Sequence, residues 1–274
     1  MLMELPISIR HKNPKIKVTI AALLLCLTNS SLAQKTTQTA LKEVIHIDAI
    51  DWCPQICLDS NHPGYVVELV KKIFENTQYQ LSIHIFPWSR AIRNVSSGKA
   101  DALLSPAKSE APNLLYPELS VGYQQMCFFT LYKSNWRYDG ISSLQGLQIG
   151  IATDTSIEEL NNYVKDHPWQ FQFQPYHERY LTQNIAKLEK GRIDSFLFTR
   201  NSTIFSLHQL HKQDYIKVAG CLSKVPIYMA FTPVASKQGK ISMMMSVFDS
   251  KLAALKKTQY IKKLIASYHL PTES

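Results

Sequence analysis

Two stretches of the chain, RAIRNVSSGKADALLS at 90–105 and NIAKLEKGRIDSFLF at 184–198, follow one plan: helical residues, a glycine, a cation, an apolar residue, an aspartate and an apolar run. A glycine behind a helix takes the left-handed backbone conformation that a side chain resists, so Gly98 and Gly191 are expected C-caps. The apolar runs behind them suit buried parallel strands. A single helix–glycine–strand junction is common to any α/β protein. Two of them, in a chain too long for one small core, point to two α/β lobes. Function then belongs in the cleft between the lobes.

The length of 274 residues allows two modest cores, since domains cluster near about 100–150 residues. The first 33 residues belong to neither. Arg10, Lys12, Lys15 and Lys17 precede an apolar run at 18–27, and small residues at 29–33 offer a cleavage site before Gln34, which reads as a secretory signal peptide. The run is shorter than the ~20 apolar residues that a bilayer requires. Cys26 follows three leucines rather than a small residue, so an exported protein without a lipid anchor, located in the periplasm, is expected. Removal of the leader takes four cations and one anion, and the formal charge falls from +9 to +6. Export makes nucleic acid an unsuitable partner, and no basic run with interleaved aromatics appears; Lys256-Lys257 and Lys262-Lys263 fit a solvated helix face.

Four cysteines remain, an even number that suits disulfides in an oxidising compartment. Cys53 and Cys57 in CPQIC are close enough to close a short loop, worth about 2 kcal/mol. Cys127 and Cys221 form the other pair, with two buried free thiols as the ordinary alternative. A redox or metal reading of CPQIC is weaker, because three residues separate the thiols and no histidine lies near. His208 and His211 lack a third ligand at convincing spacing and read as surface residues, so no metal is expected.

Residues 43–49 alternate as a first strand, broken by Asp51-Trp52-Cys53-Pro54. Val66, Leu69, Val70, Ile73 and Phe74 recur at helical spacing, 81–86 alternates again, and Pro87 opens a second helix. With the strand at 100–104 this completes a β-α-β-α-β unit. Residues 123–132 form a long strand that leaves it. A second set follows: a strand at 145–151, a helix begun by Thr155-Ser156 with a capping-box glutamate, a strand at 171–175, a helix at 181–189 and a strand at 193–198. Residues 226–231 return, and a helical tail at 241–268 covers the first lobe.

Several pieces, in their order, carry a resemblance: Asp51-Trp52-Cys53-Pro54 after the first strand, Gly64-Tyr65, Gly98-Lys99-Ala100-Asp101-Ala102, Gly150-Ile151 leading to Asp154-Thr155-Ser156, Gly191-Arg192-Ile193-Asp194-Ser195, and Gln259-Tyr260-Ile261-Lys262-Lys263. Across nearly the whole exported chain they resemble the family 3 extracellular solute-binding proteins, the polar amino acid type that serves ABC importers and some sensors. The resemblance implies a type II periplasmic-binding-protein-like α/β fold, each lobe an α/β sandwich, joined by two crossing strands near 122–126 and 225–228. Residues 34–124 with 228–274 then form one lobe and 125–227 the other. It also implies hinge closure around a small solute, an ABC permease or a membrane sensor as partner, a monomer, and no cofactor.

Solutes in open α/β sheets collect beyond the carboxyl ends of strands, which selects Ser105 and Thr199 with Arg200. By resemblance, Trp52 matches an aromatic that flanks the solute, and Thr155 and Ser156 match a helix N-terminus that receives an anion. Trp88 falls at a helix start facing the cleft, although both tryptophans fit a core equally well. The family places an arginine beyond the strand matched here by 100–104 and a carboxylate beyond the second junction. This chain has Lys108-Ser109-Glu110 and Thr199-Arg200 there. A free α-amino acid would lack both anchors, so Arg90, Lys108 or Arg200 is the expected contact to a small polar or anionic solute. Asp101 and Asp194 are expected to bond nearby N–H groups. A dehydratase-like enzyme on the same scaffold is the alternative, but no motif for a nucleophile, a metalloprotease or a phosphate loop appears, and reversible capture without catalysis is the primary reading.

Overall fold

A computed structural model describes residues 42–59, 61–153, 157–177 and 179–271. The leader at 1–33, Thr155 and Ser156 lie outside the described residues. The first half runs β1 (Glu43–Ala49), α1 (Tyr65–Phe74), β2 (Tyr79–Ile85), α2 (Trp88–Ser96), β3 (Ala102–Leu104) and β4 (Gly122–Leu131). The second runs β5 (Ile149–Ala152), α3 (Asn161–Asp166), β6 (Phe171–Gln174), α4 (Tyr180–Glu189), β7 (Ser195–Thr199), α5 (Arg200–Gln209), β8 (Ile216–Ile227), β9 (Met229–Phe231), α6 (Gln238–Lys256) and α7 (Tyr260–Ser267).

Two sheets form. The first has the order β2-β1-β3-β9 and the second β6-β5-β7-β4-β8. In each, a central strand (β1 or β5) pairs in parallel with the next two parallel strands of its set, and an antiparallel strand follows on the far side: β9 at the edge of the first sheet, and β4, with β8 beyond it, in the second. Ile45 and Ile47 of β1 are fully buried while Val44 and His46 face outward, as alternation requires. The α1 stripe of Val66, Leu69, Val70, Ile73 and Phe74 is buried against this sheet and against α6 and α7. Each such side chain stabilises by about 1.5–3 kcal/mol over its exposed state.

The doubled junction of the sequence is doubled in space. Gly98 and Gly191 take φ of 75° and 62°. One residue on, the Lys99 and Arg192 amides each reach back to a carbonyl five residues earlier, Asn94 and Lys187, both at 2.9 Å. This pattern satisfies carbonyls that a helix end leaves open. Asp101 Oδ2 then accepts from His46 N at 3.0 Å and Asp194 Oδ2 from Gln148 N at 2.8 Å, so each aspartate ties its strand to the start of the central one. Asp101 adds ion pairs with Lys237 at 2.9 Å and Lys240 at 3.5 Å.

The chain crosses between the sheets on an antiparallel ribbon. Gly122 pairs with Ile227, Tyr123 with Pro226, Gln124 with Val225 and Gln125 with Lys224; the register then slips, and Cys127 faces Cys221. The bulge frees the ribbon from the regular ladder at the edge of the second sheet. Disulfides link Cys127 with Cys221 and Cys53 with Cys57, as the cysteine arithmetic suggested.

Three differences from the sequence reading have local causes. The tail expected as one helix at 241–268 is two: between them Thr258 Oγ1 donates to Leu255 O at 2.7 Å, at the end of α6, and accepts from Tyr260 N at 3.1 Å, at the start of α7, so its side chain competes with a continuous helical ladder. Residues 158–160 form a 3₁₀ turn before the short α3, rather than one continuous helix. Helix α5 was not anticipated. Its Leu207 is buried in a core of the second sheet, while Ile204 and Phe205 pack on the first sheet's core. A helix shared between two cores shows no single apolar stripe.

Candidate functional site

Strands of both sheets aim their carboxyl ends at one gap. From the first sheet, β1 delivers Ile50 and Trp52, β2 delivers Pro87 and Trp88, and β3 delivers Ser105. From the second, β5 delivers Thr153, β6 delivers Pro175 and Tyr176, and β7 ends in Phe198 and Thr199. Glu110 and, from the crossing ribbon, Gln124 complete a cleft of about 560 Å³. Another hollow, of about 450 Å³, lies at the opposite, amino-terminal ends of β5 and β6 beside Trp169 and His167. The larger gap is the candidate site because strand termini of both sheets converge on it.

Contacts span the gap. Trp52 Nε1 donates to Thr199 Oγ1 at 3.3 Å. Outside the cleft lining, Asn201 Nδ2 of α5 donates to the Tyr65 hydroxyl of α1 at 3.1 Å. Phe205 meets Tyr268 with ring centroids 6.5 Å apart, and His208 stacks on His269 at 4.3 Å. Trp52 is held for its contact by a tight knuckle: its N–H donates to Ile56 O at 2.7 Å, and its carbonyl accepts from Gln55 N and Ile56 N at 2.9 and 3.0 Å. The Cys53–Cys57 bond closes that knuckle.

Ser105 is the most unusual lining residue. It has a left-handed φ of 68° and is 2 % exposed. Its N–H donates to Tyr228 O at 2.8 Å, yet its Oγ has no hydrogen-bond partner among the described residues. A non-glycine residue in this conformation costs on the order of 1–3 kcal/mol, and such costs cluster where a ligand is clamped. A buried hydroxyl without a partner is likewise rare.

The walls are aromatic on both sides, with Trp52 and Trp88 facing Tyr176 and Phe198; the last two stack at 5.4 Å and 22°. Burial, and then the nearby Asp51 carboxylate, hold the Tyr176 phenol well above the usual range. Burial, then Glu110 and Tyr228, push the neighbouring Tyr116 up to about 12. Both phenols are therefore neutral at physiological pH. Glu110 Oε2 accepts from Ala107 N at 2.8 Å, which fixes its carboxylate at the cleft wall.

Of the residues singled out from sequence, Trp52, Trp88, Ser105 and Thr199 come together here. The three cations do not line the cleft. Arg90 is exposed: it lies two residues beyond Trp88, about 200° around α2, whereas Ile92, a full turn on, does line the cleft. The Lys108 ammonium sits over the rings of Tyr228 and Tyr116, at 5.0 and 5.6 Å. Arg200 begins α5, half-buried and outside the lining. Sequence reasoning missed Thr153, Tyr176, Phe198, Gln124 and Glu110. The strand-end rule that selected Ser105 and Thr199 applies equally to Thr153 after β5 and Tyr176 after β6. Glu110 and Gln124 gave no such signal.

No protein-family model matches the chain, and no curated protein matches it. Solved structures do. A histidine kinase sensor domain with similarity to periplasmic binding proteins superposes with a TM-score of 0.63 at 17% identity, over 83% of this chain and 96% of the other. The probable amino-acid ABC transporter extracellular-binding protein ytmK from Bacillus subtilis gives 0.63 at 17%, over 83% and 97%. A structure concerned with glutathione import via GshT and the cystine ABC importer TcyBC of Streptococcus mutans gives 0.66 at 16%, over 83% and 95%. Likeness at these identities speaks for architecture, and with the paired sheets and crossing ribbon it establishes that the chain has the two-lobed α/β fold of the periplasmic binding proteins.

Proposed function

We propose that the chain is a periplasmic solute-binding protein, exported through a cleaved leader, that captures a small polar solute between its lobes and presents it to an ABC importer or a membrane sensor. The observation that carries this reading is the cleft itself: strand termini of both sheets line it, and the Trp52–Thr199 bond spans it. In this reading residues 34–124 with 228–274 move as one lobe and 125–227 as the other, hinged on the ribbon of β4 and β8. Solute enters the open form; closure brings Trp52 and Trp88 against Tyr176 and Phe198 and removes the ligand from water. Capture is reversible, without bond chemistry, and the working unit is a monomer.

Two kinds of similar structure support the two destinations, one a sensor domain of a histidine kinase and one a binding protein of an ABC transporter. Among the described residues no helix is long and apolar enough to cross a membrane. The test is a thermal-shift screen against amino acids, small peptides, amines, organic acids and aromatic metabolites. A solute at about 100 times its dissociation constant stabilises the native state by about 2.7 kcal/mol, well within detection. A panel that leaves the melting temperature unmoved throughout would refute the reading.

A further inference from the structure

The positive charge of the chain is gathered at one end. Residues 42–237 carry 19 cations and 18 anions, close to balance, whereas residues 238–271 carry six lysines, no arginine and one aspartate. A balanced body with a basic end points to an anionic partner for that end. The one aspartate, Asp249, is engaged: its two oxygens accept from the Leu119 and Glu118 amides at 2.9 and 3.0 Å. Lys240 is engaged as well, with Glu43 at 3.1 Å and Asp101 at 3.5 Å. The other five, Lys251, Lys256, Lys257, Lys262 and Lys263, are exposed and have no ion-pair partner among the described residues. Helical phase keeps the last two turned outward, since Tyr260, Ile261, Leu264 and Ile265 of α7 pack on the first sheet's core. Helix α1, packed beside α6 and α7, adds Lys71 and Lys72 but also Glu68 and Glu75, so the surplus belongs to the tail.

We propose that this lysine face of α6 and α7 holds the protein to an anionic phospholipid surface. The use of lysine alone favours lipid over a protein partner. Protein interfaces are enriched in arginine, whose planar fork pairs bidentately with carboxylates, and depleted in lysine. Lysine is a hydrated point charge on a flexible stem, which suits a field of mobile headgroup phosphates, and each one near such a surface adds about fivefold to affinity. None of the five lines the cleft, so the contact does not compete with a solute there. The proposal goes beyond the solute-binding reading and does not rest on it.

Vesicle flotation of residues 34–274, the form that loss of the leader leaves, compares phosphatidylglycerol mixed into phosphatidylcholine with phosphatidylcholine alone. Binding to the mixed vesicles is expected to be at least about tenfold tighter. Raising salt from about 0.1 M to about 1 M shortens the screening length from about 10 Å to about 3 Å and should abolish the difference. K257Q/K262Q/K263Q should weaken binding to the mixed vesicles at least about tenfold, while K257R/K262R/K263R keeps it. K133Q/K165Q/K190Q removes the same charge from exposed lysines around the second sheet and should keep it as well. Equal binding to both kinds of vesicle, binding to neither, or unweakened binding by the tail glutamine variant would overturn the proposal. So would an equal loss in the second-sheet variant, which would show attraction by overall charge alone. The lipid preference and salt dependence of the parent need no variant and decide the matter even if one fails to fold. Solute binding should be the same in the parent and in K257Q/K262Q/K263Q, so either claim can fall without the other.

Discussion

Tyr65→Phe tests the proposed closure of the lobes separately from contact with the solute. The Tyr65 hydroxyl accepts from Asn201 Nδ2 at 3.1 Å, linking α1 of the first sheet to α5 behind the second, and neither residue lines the cleft. Tyr65 is 5 % exposed, and burial above all raises its phenol to about 12, so it is a neutral partner throughout the working pH range. Phenylalanine fills the same volume and keeps the edge-to-face contact with Tyr268 at 6.0 Å. The loss is then one hydrogen bond, which in the proposed closure forms when the lobes meet and gives way to water when they part. Its net worth is about 0.5–1.5 kcal/mol, a two- to twelvefold shift of the open–closed equilibrium toward open. A solute that binds the closed form should lose affinity by up to the same factor, with the enthalpy of its cleft contacts preserved. Titration of the parent, Y65F, N201A and the double variant forms a cycle; the two single losses should not add. Unchanged affinity in Y65F, or losses that add fully, would show that this contact plays no part in closure.

Other outcomes follow from the same geometry. Replacing Cys127 and Cys221 by serine removes a link across 94 residues and should cost on the order of 4–5 kcal/mol of unfolding free energy, read by chemical denaturation. Replacing Cys53 and Cys57 should cost only about 2 kcal/mol of stability yet weaken solute binding, because the knuckle that aims Trp52 loosens; tryptophan fluorescence quenching would report it. Asp101 is buried, and although burial alone would raise its pKa, the bonds from His46 N and Lys237 and the charge of Lys240 outweigh it and leave the pKa below the usual carboxylate value. A depressed folded-state pKa stabilises the fold above the unfolded value, near pH 4, and that stability is lost as pH falls through the folded value. D101N should therefore flatten the acid limb of a stability–pH curve, and an unchanged limb would contradict this assignment.

Much of the architecture was legible because it rests on backbone rules. Glycine at a left-handed cap and aspartate three residues later can be read as residue types, and both junctions folded alike around Gly98 with Asp101 and Gly191 with Asp194. The α5 helix was illegible because Ile204 and Phe205 serve one core and Leu207 another. The cleft was legible where position along a strand decides, as for Ser105 and Thr199. It was not where a long side chain chooses its own direction: Lys108 has the length to reach many places, and two tyrosine rings decide which. Arg90 lies outside the lining for a simpler reason, helical phase, since a residue two beyond Trp88 points away from it.

Small-angle X-ray scattering of the same chain, with and without the solute that most raises its melting temperature, tests the central claim most directly. Paired lobes hinged on the ribbon of β4 and β8 predict a smaller radius of gyration with solute bound, and a profile that matches the closed arrangement bridged by Trp52 and Thr199. Superimposable profiles under saturating solute would contradict capture by closure.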